Sequence, residues 1–369
     1  MKENLFKKKW LKRLDRDIIV KFLGTYFFAI ALIISIAVVF DINENIDDFI
    51  KNKAPISAIA FDYYLNFIPY YTNLFSPLFV FIAVIFFTSK LAENSEIIAM
   101  FSTGMSFKRL MVPYMISAAI IAAVTYVLGT EIIPTGSVTR LEFERIYKNK
   151  RSSDYARNIQ LEVDSGTVAY MERYEGYNKT GYRFSLDKFE NHQLVSHLTA
   201  RRITYDTTGV HRWIIKDYMI REMKGMREII TKGERIDSTI NMEPQDFLIK
   251  RGQQETMTSR QLREYIDKQK KRGFANIKVF EVEYYRRIAM SFAAFILTVI
   301  GLSLSSQKRK GGMGLHLGIG IGLSFSYILF QTISSTFAIN GNMHPNLAVW
   351  IPNILYLGIA VYLYRKAPK

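Results

Sequence analysis

The spacing of apolar segments constrains the fold of this chain most strongly. Three apolar stretches come first, a long segment of mixed polarity follows, and three more apolar stretches end the sequence. A hydrocarbon layer roughly 30 Å thick needs about 20 apolar residues per helical crossing, and each stretch has about that length. The predicted spans are residues 22–40, 67–88, 110–128, 288–305, 315–338 and 347–364. The sequence therefore predicts an α-helical membrane protein with six transmembrane helices, arranged three plus three around an inserted domain.

Lysine and arginine indicate how the chain is oriented. They are concentrated in residues 2–21, 90–109, 308–310 and 365–369, whereas residues 41–66 carry mainly acidic side chains. Because basic residues mark cytoplasmic loops, we expect both termini in the cytoplasm and the inserted domain outside. The first span lacks a small-residue cleavage site, which favours an anchor over a cleaved signal peptide. Much of the net charge of +16 lies in the basic flanks, which favours anionic lipid headgroups and not nucleic acid as partners.

The inserted segment is typical of a β domain. Apolar and polar residues alternate at 159–163, 182–186 and 213–220, and this pattern predicts strands. Turn signals separate them at Asp164-Ser165-Gly166, at Asn191-His192 and at Asp206-Thr207-Thr208-Gly209. Short strands at this spacing indicate a sandwich, a jellyroll or a half-barrel. We predict an all-β, jellyroll-like domain.

A helix follows the predicted strands. Thr258 and Gln261 fit a capping box that opens a charged helix over about 259–272, which would end at Gly273. The predicted domains are thus an N-terminal transmembrane half at 1–130, the β domain with its trailing helix at 131–287, and a C-terminal transmembrane half at 288–369.

Signatures of catalysis are absent from the sequence. It has no phosphate-binding loop, no Gly-x-Ser-x-Gly elbow, no His-Glu-x-x-His pair and no cysteine. We therefore predict no catalytic residue, no metal site and no cofactor in this chain. Energy for transport would have to come from another subunit or from an ion gradient. Few ionisable residues lie inside the spans, which disfavours a gradient-driven carrier.

The connection between spans two and three predicts a short amphipathic helix. Asn94 or Ser95 can cap it, Glu96 suits its first turn, and Gly104 ends the regular pattern. Its apolar positions are Ile97, Met100, Phe101 and Met105. Spacing alone fits an interfacial helix that rests on lipid headgroups, and it also fits a coupling helix that docks on a cytoplasmic ATPase.

Span five carries a stripe of small residues. Gly314, Gly318, Gly322 and Ser326 recur every four residues on one helix face. Such a stripe permits close approach of another helix. Packing against a span of the same chain and a looser seam with another chain are both compatible with it.

Four sequence motifs together resemble one known family. They are Leu14-Asp15-Arg16, Ser95–Met100 followed by Ser102–Ser106, Glu131–Pro134 and Leu262–Ile266. In these topological places they are similar to the LptF/LptG (YjgP/YjgQ) permeases, over essentially the whole chain. The residues do not decide between the two halves of that pair, and we favour the LptG-like half.

The resemblance implies a function. It implies the permease subunit of an ABC exporter that extracts lipopolysaccharide from the inner membrane and passes it through a periplasmic jellyroll to a transenvelope bridge. The implied partners are two LptB-like subunits that bind ATP and Mg²⁺, a paralogous LptF- or LptG-like permease, an LptC-like single-span subunit and an LptA-like bridge. Two alternatives stay open: a mechanotransmission-type ABC subunit, and a membrane-anchored periplasmic binding or assembly protein without transport.

The resemblance also implies site residues. Glu96 would be the polar contact to the ATPase, with Ile97, Met100, Phe101 and Met105 as apolar contacts and Gly104 ending the segment. Gly314, Gly318, Gly322 and Ser326 would line a lateral gate against span one of the paralogue.

The expected substrate cavity departs from the family pattern. We predict Asp41, Phe67, Tyr70 and Phe75 as its residues, although aromatic residues on a span are more often packed or lipid-facing. The family has basic side chains near the outer end of span one, where this chain carries Asp41, Glu44, Asp47 and Asp48. A paralogue could supply the positive charge, divalent cations could bridge carboxylates to phosphate, or the glycolipid could carry fewer phosphates.

Overall fold

The chain divides into two compact units. The computed structural model describes residues 13–148, 155–209, 211–225, 227–248, 252–271, 277–306, 312–341 and 343–367. The helical unit comprises Met1–Lys148 and Val282–Lys369, and the β unit comprises Asn149–Glu281. Residues 131–148, which the sequence analysis placed in the β domain, belong to the helical unit because the third span continues through them as a helix.

The first half of the helical unit contains six α-helices and two π-helical turns among its described residues. They are α1 (Arg13–Lys51), a π turn (Ala58–Tyr64), α2 (Leu65–Leu74), α3 (Ser76–Glu93), α4 (Glu96–Ser102), α5 (Phe107–Val127), a second π turn (Leu128–Ile132) and α6 (Ile133–Tyr147). At 1.5 Å per residue, α1 is about 58 Å long, roughly twice the thickness of a hydrocarbon layer. Residues 41–51 thus belong to α1, although the sequence analysis treated 41–66 as a loop.

Span two is interrupted near its start. The sequence predicted one span over 67–88, but α2 ends at Leu74 and α3 begins at Ser76. Pro77 lies in the first turn of α3 and has no N–H to donate to the carbonyl of Asn73, so one hydrogen bond of a continuous helix is missing at the break. Only Ser76–Glu93 is long and apolar enough to cross a membrane in this region.

Three long helices form the second half of the helical unit. They are α9 (Lys278–Ser305), α10 (Gly312–Asn340) and α11 (Pro345–Lys366). Asn353 joins them, because its amide donates to the carbonyl of Ala289 and accepts from the hydroxyl of Tyr327, each at 2.8 Å. Across the described residues, six helices in total are long and apolar enough to span a membrane, as predicted.

The spans are unequally covered by the rest of the chain. In the apolar window of α3, 78% of residues are buried, whereas only 22% are buried in α1. The α3 helix is thus the centre of the helical unit. One long face of α1 is left without cover from the described part of this chain.

The β unit is an open six-stranded antiparallel sheet. Its strands are β1 (Tyr155–Asp164), β2 (Thr167–Glu175), β3 (Thr180–Glu190), β4 (Gln193–Tyr205), β5 (Arg212–Lys224) and β6 (Arg227–Thr239). Each strand pairs with its neighbour in sequence. The sheet is therefore a meander, and the non-sequential strand pairing of a jellyroll is not found among the described strands. The fold class is confirmed as a membrane helical protein with an inserted β domain.

Local turn chemistry explains the sequential pairing. In the β1–β2 turn, Gly166 has φ +73°. In the two-residue β3–β4 turn, Asn191 and His192 have φ of 50° and 63°. After β4, the carboxylate of Asp206 accepts a hydrogen bond from the Thr208 amide. Positive φ at both central residues is the hairpin geometry that matches the twist of adjacent strands. All three predicted turn signals thus connect neighbouring strands.

One face of the sheet carries the core of the β unit. Trp213, Tyr174 and Phe247 are fully buried, and the Trp213 indole N–H donates to the carbonyl of Met242 at 3.0 Å. Phe247 belongs to the short α7 (Pro244–Phe247). The predicted capping box opens α8 (Ser259–Lys271), because Thr258 and Gln261 exchange side-chain and backbone hydrogen bonds. The predicted end of this helix at Arg272 and Gly273 lies outside the described residues.

Candidate functional site

The short helix α4 connects spans two and three through a sharp elbow. Ser95 has φ +62°, and its amide donates to the carbonyl of Ala92 at the end of α3. A left-handed residue at this point reverses the chain so that α4 can start at Glu96. Glu96 thus lies in the first turn, where a negative charge is favoured by the helix dipole.

The end of α4 is a complete Schellman motif. Gly104 has φ +85°, its amide donates to the carbonyl of Phe101 at 2.9 Å, and the amide of Met105 donates to that of Met100 at 3.3 Å. Met100 and Met105 pack against the same core, as the hydrophobic contact of this motif requires. The backbone therefore explains Gly104, which the sequence had marked only as the end of a pattern.

Burial changes the roles of the apolar residues of α4. Ile97 is only 1% exposed and lies inside the core of the helical unit, and Met100, Phe101 and Met105 pack against that core in part. Ile97 therefore anchors α4 to its own chain, whereas Met100, Phe101 and Met105 are half-buried and their contact with an ATPase stays a prediction. The exposed side of the elbow and helix consists of other residues, namely Ser95, Glu96, Ile98, Ala99, Ser102 and Thr103. Glu96 is exposed, and its role as the polar contact to an ATPase stays a prediction.

A buried ion pair lies at the same end of the helical unit. Asp15, in the first turn of α1, is 3% exposed and accepts from the guanidinium of Arg109 at 2.5 Å. Arg109 follows α4 and starts α5, so the pair fixes the start of span one to the segment that carries the elbow. The sequence analysis used both residues only as motif and orientation markers and missed their contact.

The small-residue stripe of α10 is open. A Cβ built on Gly314, Gly318 or Gly322 would meet no atom of the described residues within 4 Å. Packing against a span of the same chain therefore does not explain these glycines. Ser326 differs, because its hydroxyl is hydrogen-bonded to the hydroxyl of Tyr356 on α11.

Close helix packing uses two other glycines. A Cβ on Gly320 would lie well under 3.0 Å from Cδ1 of Ile85, and one on Gly301 would lie 2.8 Å from Cγ1 of Val84. Both contacts are made with α3. Sequence spacing pointed to the Gly314 stripe and missed these positions, since a helix wheel does not identify which face meets a neighbour.

Asp41, predicted in the substrate cavity, lies in a polar network at the other end of α1. It accepts hydrogen bonds from the hydroxyls of Tyr63 at 3.2 Å and Tyr64 at 3.0 Å. The ammonium of Lys148, which is almost fully buried, lies 3.6 Å from Asp41 and also contacts the Tyr63 hydroxyl. Asp41 is therefore held by this chain's own residues. Lys148 supplies a basic group that sequence position alone did not associate with Asp41.

The three predicted cavity aromatics are placed differently from one another. Phe67 is 3% exposed and belongs to an aromatic cluster with Phe49, Tyr63, Tyr64 and Phe143, so it is core. The ring of Tyr70 lies 4.2 Å below the guanidinium of Arg140. Phe75 stands at the break between α2 and α3 and packs in part against the main core. Phe67 is buried, whereas Asp41, Tyr70 and Phe75 are partly buried and each contacts other residues of the chain.

Clusters of acidic and histidine side chains are the candidate metal ligands in the described residues, since the chain has no cysteine. No group of three or more His, Cys, Asp or Glu side chains there is placed to hold a metal ion. Several exposed carboxylates of the β unit are paired with arginines. The pKa of Asp237 lies below its usual range because Arg235 and Arg212 donate hydrogen bonds to it.

Comparison with known proteins agrees with these features. The family described as "Lipopolysaccharide export system permease LptF/LptG" matches residues 16–366, which is nearly the whole chain. No curated protein matches the chain. The matched range includes the α4 elbow, both sets of spans and the inserted sheet. This chain is therefore a member of the LptF/LptG family of lipopolysaccharide export permeases.

Proposed function

We propose that this multi-pass inner-membrane protein is the permease half of an ABC exporter and that α4 is its coupling helix. The observation that carries this proposal is the exposed Glu96 on a short helix that is rigidly joined to spans two and three. The elbow at Ser95, the Schellman end at Gly104 and the buried Ile97 all fix α4 to its own chain. A force applied to its exposed side would be passed to α3 and α5.

The proposed orientation places α4 in the cytoplasm. The segments that flank it, residues 90–109, are basic, which is typical of cytoplasmic loops. Both termini would then be cytoplasmic and the β unit periplasmic. ATP and Mg²⁺ would be bound by two LptB-like partner subunits, with no ATP hydrolysis and no cofactor in this chain.

The contact surface proposed for the ATPase is smaller and more polar than spacing predicted. Glu96 would make the polar contact, and Ile98, Ala99 and Ser102 would face the partner, since these are the exposed residues of α4. Ile97, Met100, Phe101 and Met105 would support the helix from within. Ile98 is the largest exposed apolar side chain on this surface.

We further propose that the open glycine stripe meets a second permease. Gly314, Gly318 and Gly322 have no cover within the described residues, and α1 has a long uncovered face. A smooth seam between α10 of one permease and α1 of its paralogue would form a lateral gate for lipopolysaccharide. Ser326 would mark one end of the gate, because its hydrogen bond to Tyr356 on α11 would keep that end closed.

The path of the cargo beyond the membrane is also a proposal. The β unit would receive lipopolysaccharide and pass it to an LptC-like subunit and an LptA-like bridge. The open sheet supports this, because both β1 and β6 are unpaired on one side among the described strands. Of the predicted cavity residues, Asp41, Tyr70 and Phe75 are only partly buried and would be the ones open to a lipid. That this chain is the LptG-like half stays a prediction.

The test uses Glu96→Ala in the complex reconstituted in vesicles, with Glu44→Ala as the matched control. Glu44 is also an exposed carboxylate, but it lies toward the other end of α1. We expect Glu96→Ala to lower ATPase binding and lipopolysaccharide release together, and Glu44→Ala to leave both unchanged. Unchanged assembly and release in Glu96→Ala would refute the coupling role. A complex whose ATPase ignores lipopolysaccharide would favour a mechanotransmission subunit instead.

A further inference from the structure

A groove between α1 and α3 has the composition of a phospholipid site. Its volume is about 450 Å³, within the range of small-molecule pockets. Lys21 and Lys90 lie at one end together with Glu96, and Phe28 and Phe86 lie at the other. The groove thus has a charged end and an aromatic end.

The two ends are separated along the helix axes. Phe28 is seven residues beyond Lys21 on α1, about 10 Å away, and Phe86 is four residues before Lys90 on α3, about 6 Å away. Both helices therefore run from the charged end into the apolar part of the span. A molecule lying in the groove would have its polar group at the membrane surface and its apolar part beside the phenylalanines.

The floor of the groove is open. Gly24 lines it, and a Cβ at this position would meet no atom of the described residues within 4 Å. Phe28 is 68% exposed, so its ring offers surface to an occupant and is not part of the core. The apolar wall is therefore available to an acyl chain.

The charges at the polar end select the occupant. The ammonium of Lys90 has no ion-pair partner among the described residues, while Lys21 is 2.7 Å from Asp17 in an exposed pair of small expected strength. Two ammonium groups can bind one phosphate, and the Glu96 carboxylate beside them can bind a cationic amine. This pattern is complementary to a headgroup with one phosphate and one ammonium.

We infer that this groove binds a zwitterionic aminophospholipid of the membrane, with its phosphate on Lys21 and Lys90, its amine beside Glu96 and an acyl chain along Phe28 and Phe86. This inference goes beyond the proposed function. Under the proposed orientation the groove faces the cytoplasmic leaflet, whereas the cargo enters from the opposite one. Because Glu96 also belongs to the coupling surface, the lipid amine and the ATPase would compete for its carboxylate, and the lipid would be held while the ATPase is detached.

The experiment measures which lipid stays on the protein. The full chain, with its co-purifying subunits other than the ATPase, is reconstituted in vesicles of equal phosphatidylethanolamine and phosphatidylglycerol, extracted in mild detergent and analysed by native mass spectrometry. Gly24→Leu should abolish retained phosphatidylethanolamine by filling the groove. Its matched control is Gly358→Leu, which adds the same side chain at another open, exposed glycine, on α11. Equal retention in the two variants would overturn the inference.

Charge substitutions test the headgroup contacts. A lysine near lipid phosphates contributes about a fivefold change in affinity, so Lys90→Ala should lower retention by about that factor. Lys21→Ala should have a smaller effect, because Asp17 already pairs with Lys21, and Lys108→Ala, an exposed lysine outside the groove, should have none. Retention unaffected by Lys90→Ala would contradict the phosphate contact.

Two measurements identify the occupant. Glu96→Gln should lower the ratio of retained phosphatidylethanolamine to phosphatidylglycerol, and an unchanged ratio would refute the amine contact. A photo-crosslinker in place of Phe28 should capture phospholipid in the vesicles. Capture of a polypeptide there would mean that the groove is a protein interface and would overturn the lipid assignment. These readouts involve no transport, so they can fail while the exporter role stands.

Discussion

Gly318 and Gly320 lie two residues apart on α10, and substitution by alanine should leave the chain less stable at Gly320 than at Gly318. A Cβ at Gly320 would lie well under 3.0 Å from Cδ1 of Ile85 on α3, so Gly320→Ala must displace a packed side chain. Overpacking of this kind costs about 1–3 kcal/mol of unfolding free energy. A Cβ at Gly318 would meet nothing within 4 Å among the described residues, so no such cost applies to Gly318→Ala.

Comparing the two variants with each other removes the contribution of helix propensity, because both replace glycine by alanine inside the same helix. Replacing glycine by alanine inside a helix favours the helix by up to about 1 kcal/mol at either position. The difference between the two variants should therefore stay near 1–3 kcal/mol, with Gly320→Ala the less stable. Ile85 Cδ1 is the end of a flexible side chain, which places the expected value toward the lower part of that range.

Thermal and denaturant unfolding of the purified chain in detergent measures this difference. Gly318→Ala should unfold at or above the wild-type temperature, and Gly320→Ala should unfold at a lower temperature than Gly318→Ala. If the two variants lose equal stability, the stripe at Gly318 is packed within the chain and the reasoning for an intermolecular seam fails. In the reconstituted complex, the lateral-gate proposal predicts that Gly318→Leu impairs lipopolysaccharide release before it lowers the amount of protein.

Three further expectations concern single contacts. Gly104→Ala should destabilise the end of α4 by about 1 kcal/mol, because alanine disfavours the positive φ of this position and its Cβ would meet no other atom of the described residues within 4 Å. Amide hydrogen exchange at the end of α4 should become faster, and an unchanged exchange rate would contradict the Schellman motif. Asp15→Asn should lower the unfolding free energy by about 1–3 kcal/mol, a moderate loss because Arg109 is partly exposed and water can solvate its charge in the variant. A double-mutant cycle with Arg109→Gln should give a non-zero coupling energy. Additive effects of the two substitutions would show that the pair is not stabilising. The lowered pKa of Asp237 means that its contribution to stability is present above about pH 4 and is lost as the pH falls further. Arg212→Gln should raise that pKa in an NMR titration, and an unmoved pKa would contradict the pairing.

Local signals in the sequence were sufficient for several elements. The capping box at Thr258 and the turn at Asn191 and His192 each depend on a few consecutive residues, and the structure contains both. The number of membrane helices followed from segment length and apolarity, which also act locally. These features could be predicted because no distant contact is needed to define them.

Features that depend on distant contacts could not be predicted. Ile97 falls at amphipathic spacing, yet the spacing does not say whether its face meets a partner or the chain's own core. Asp41 reads as a free charge at the end of a span until Lys148, over 100 residues later in sequence, is brought beside it. The break at Phe75 needed the combined effect of Pro77 and tertiary packing, since prolines are tolerated in many spans.

The contacts of α1 explain how one long and mostly uncovered helix can be held in place. Asp15 binds Arg109 at one end of α1, and Asp41 binds Tyr63, Tyr64 and Lys148 about 39 Å away at the other. Between them Phe22, Tyr26 and Ile34 pack into the main core, while the opposite face of the helix is uncovered by the described part of this chain. Because Arg109 begins the helix that follows α4, a displacement of α4 would reach α1 first through the Asp15 pair. The uncovered middle face of α1 could then shift against a neighbouring permease without loss of the core, whose centre is α3. This division of α1 into two fixed ends and a free face is the structural basis on which the proposed gate would open.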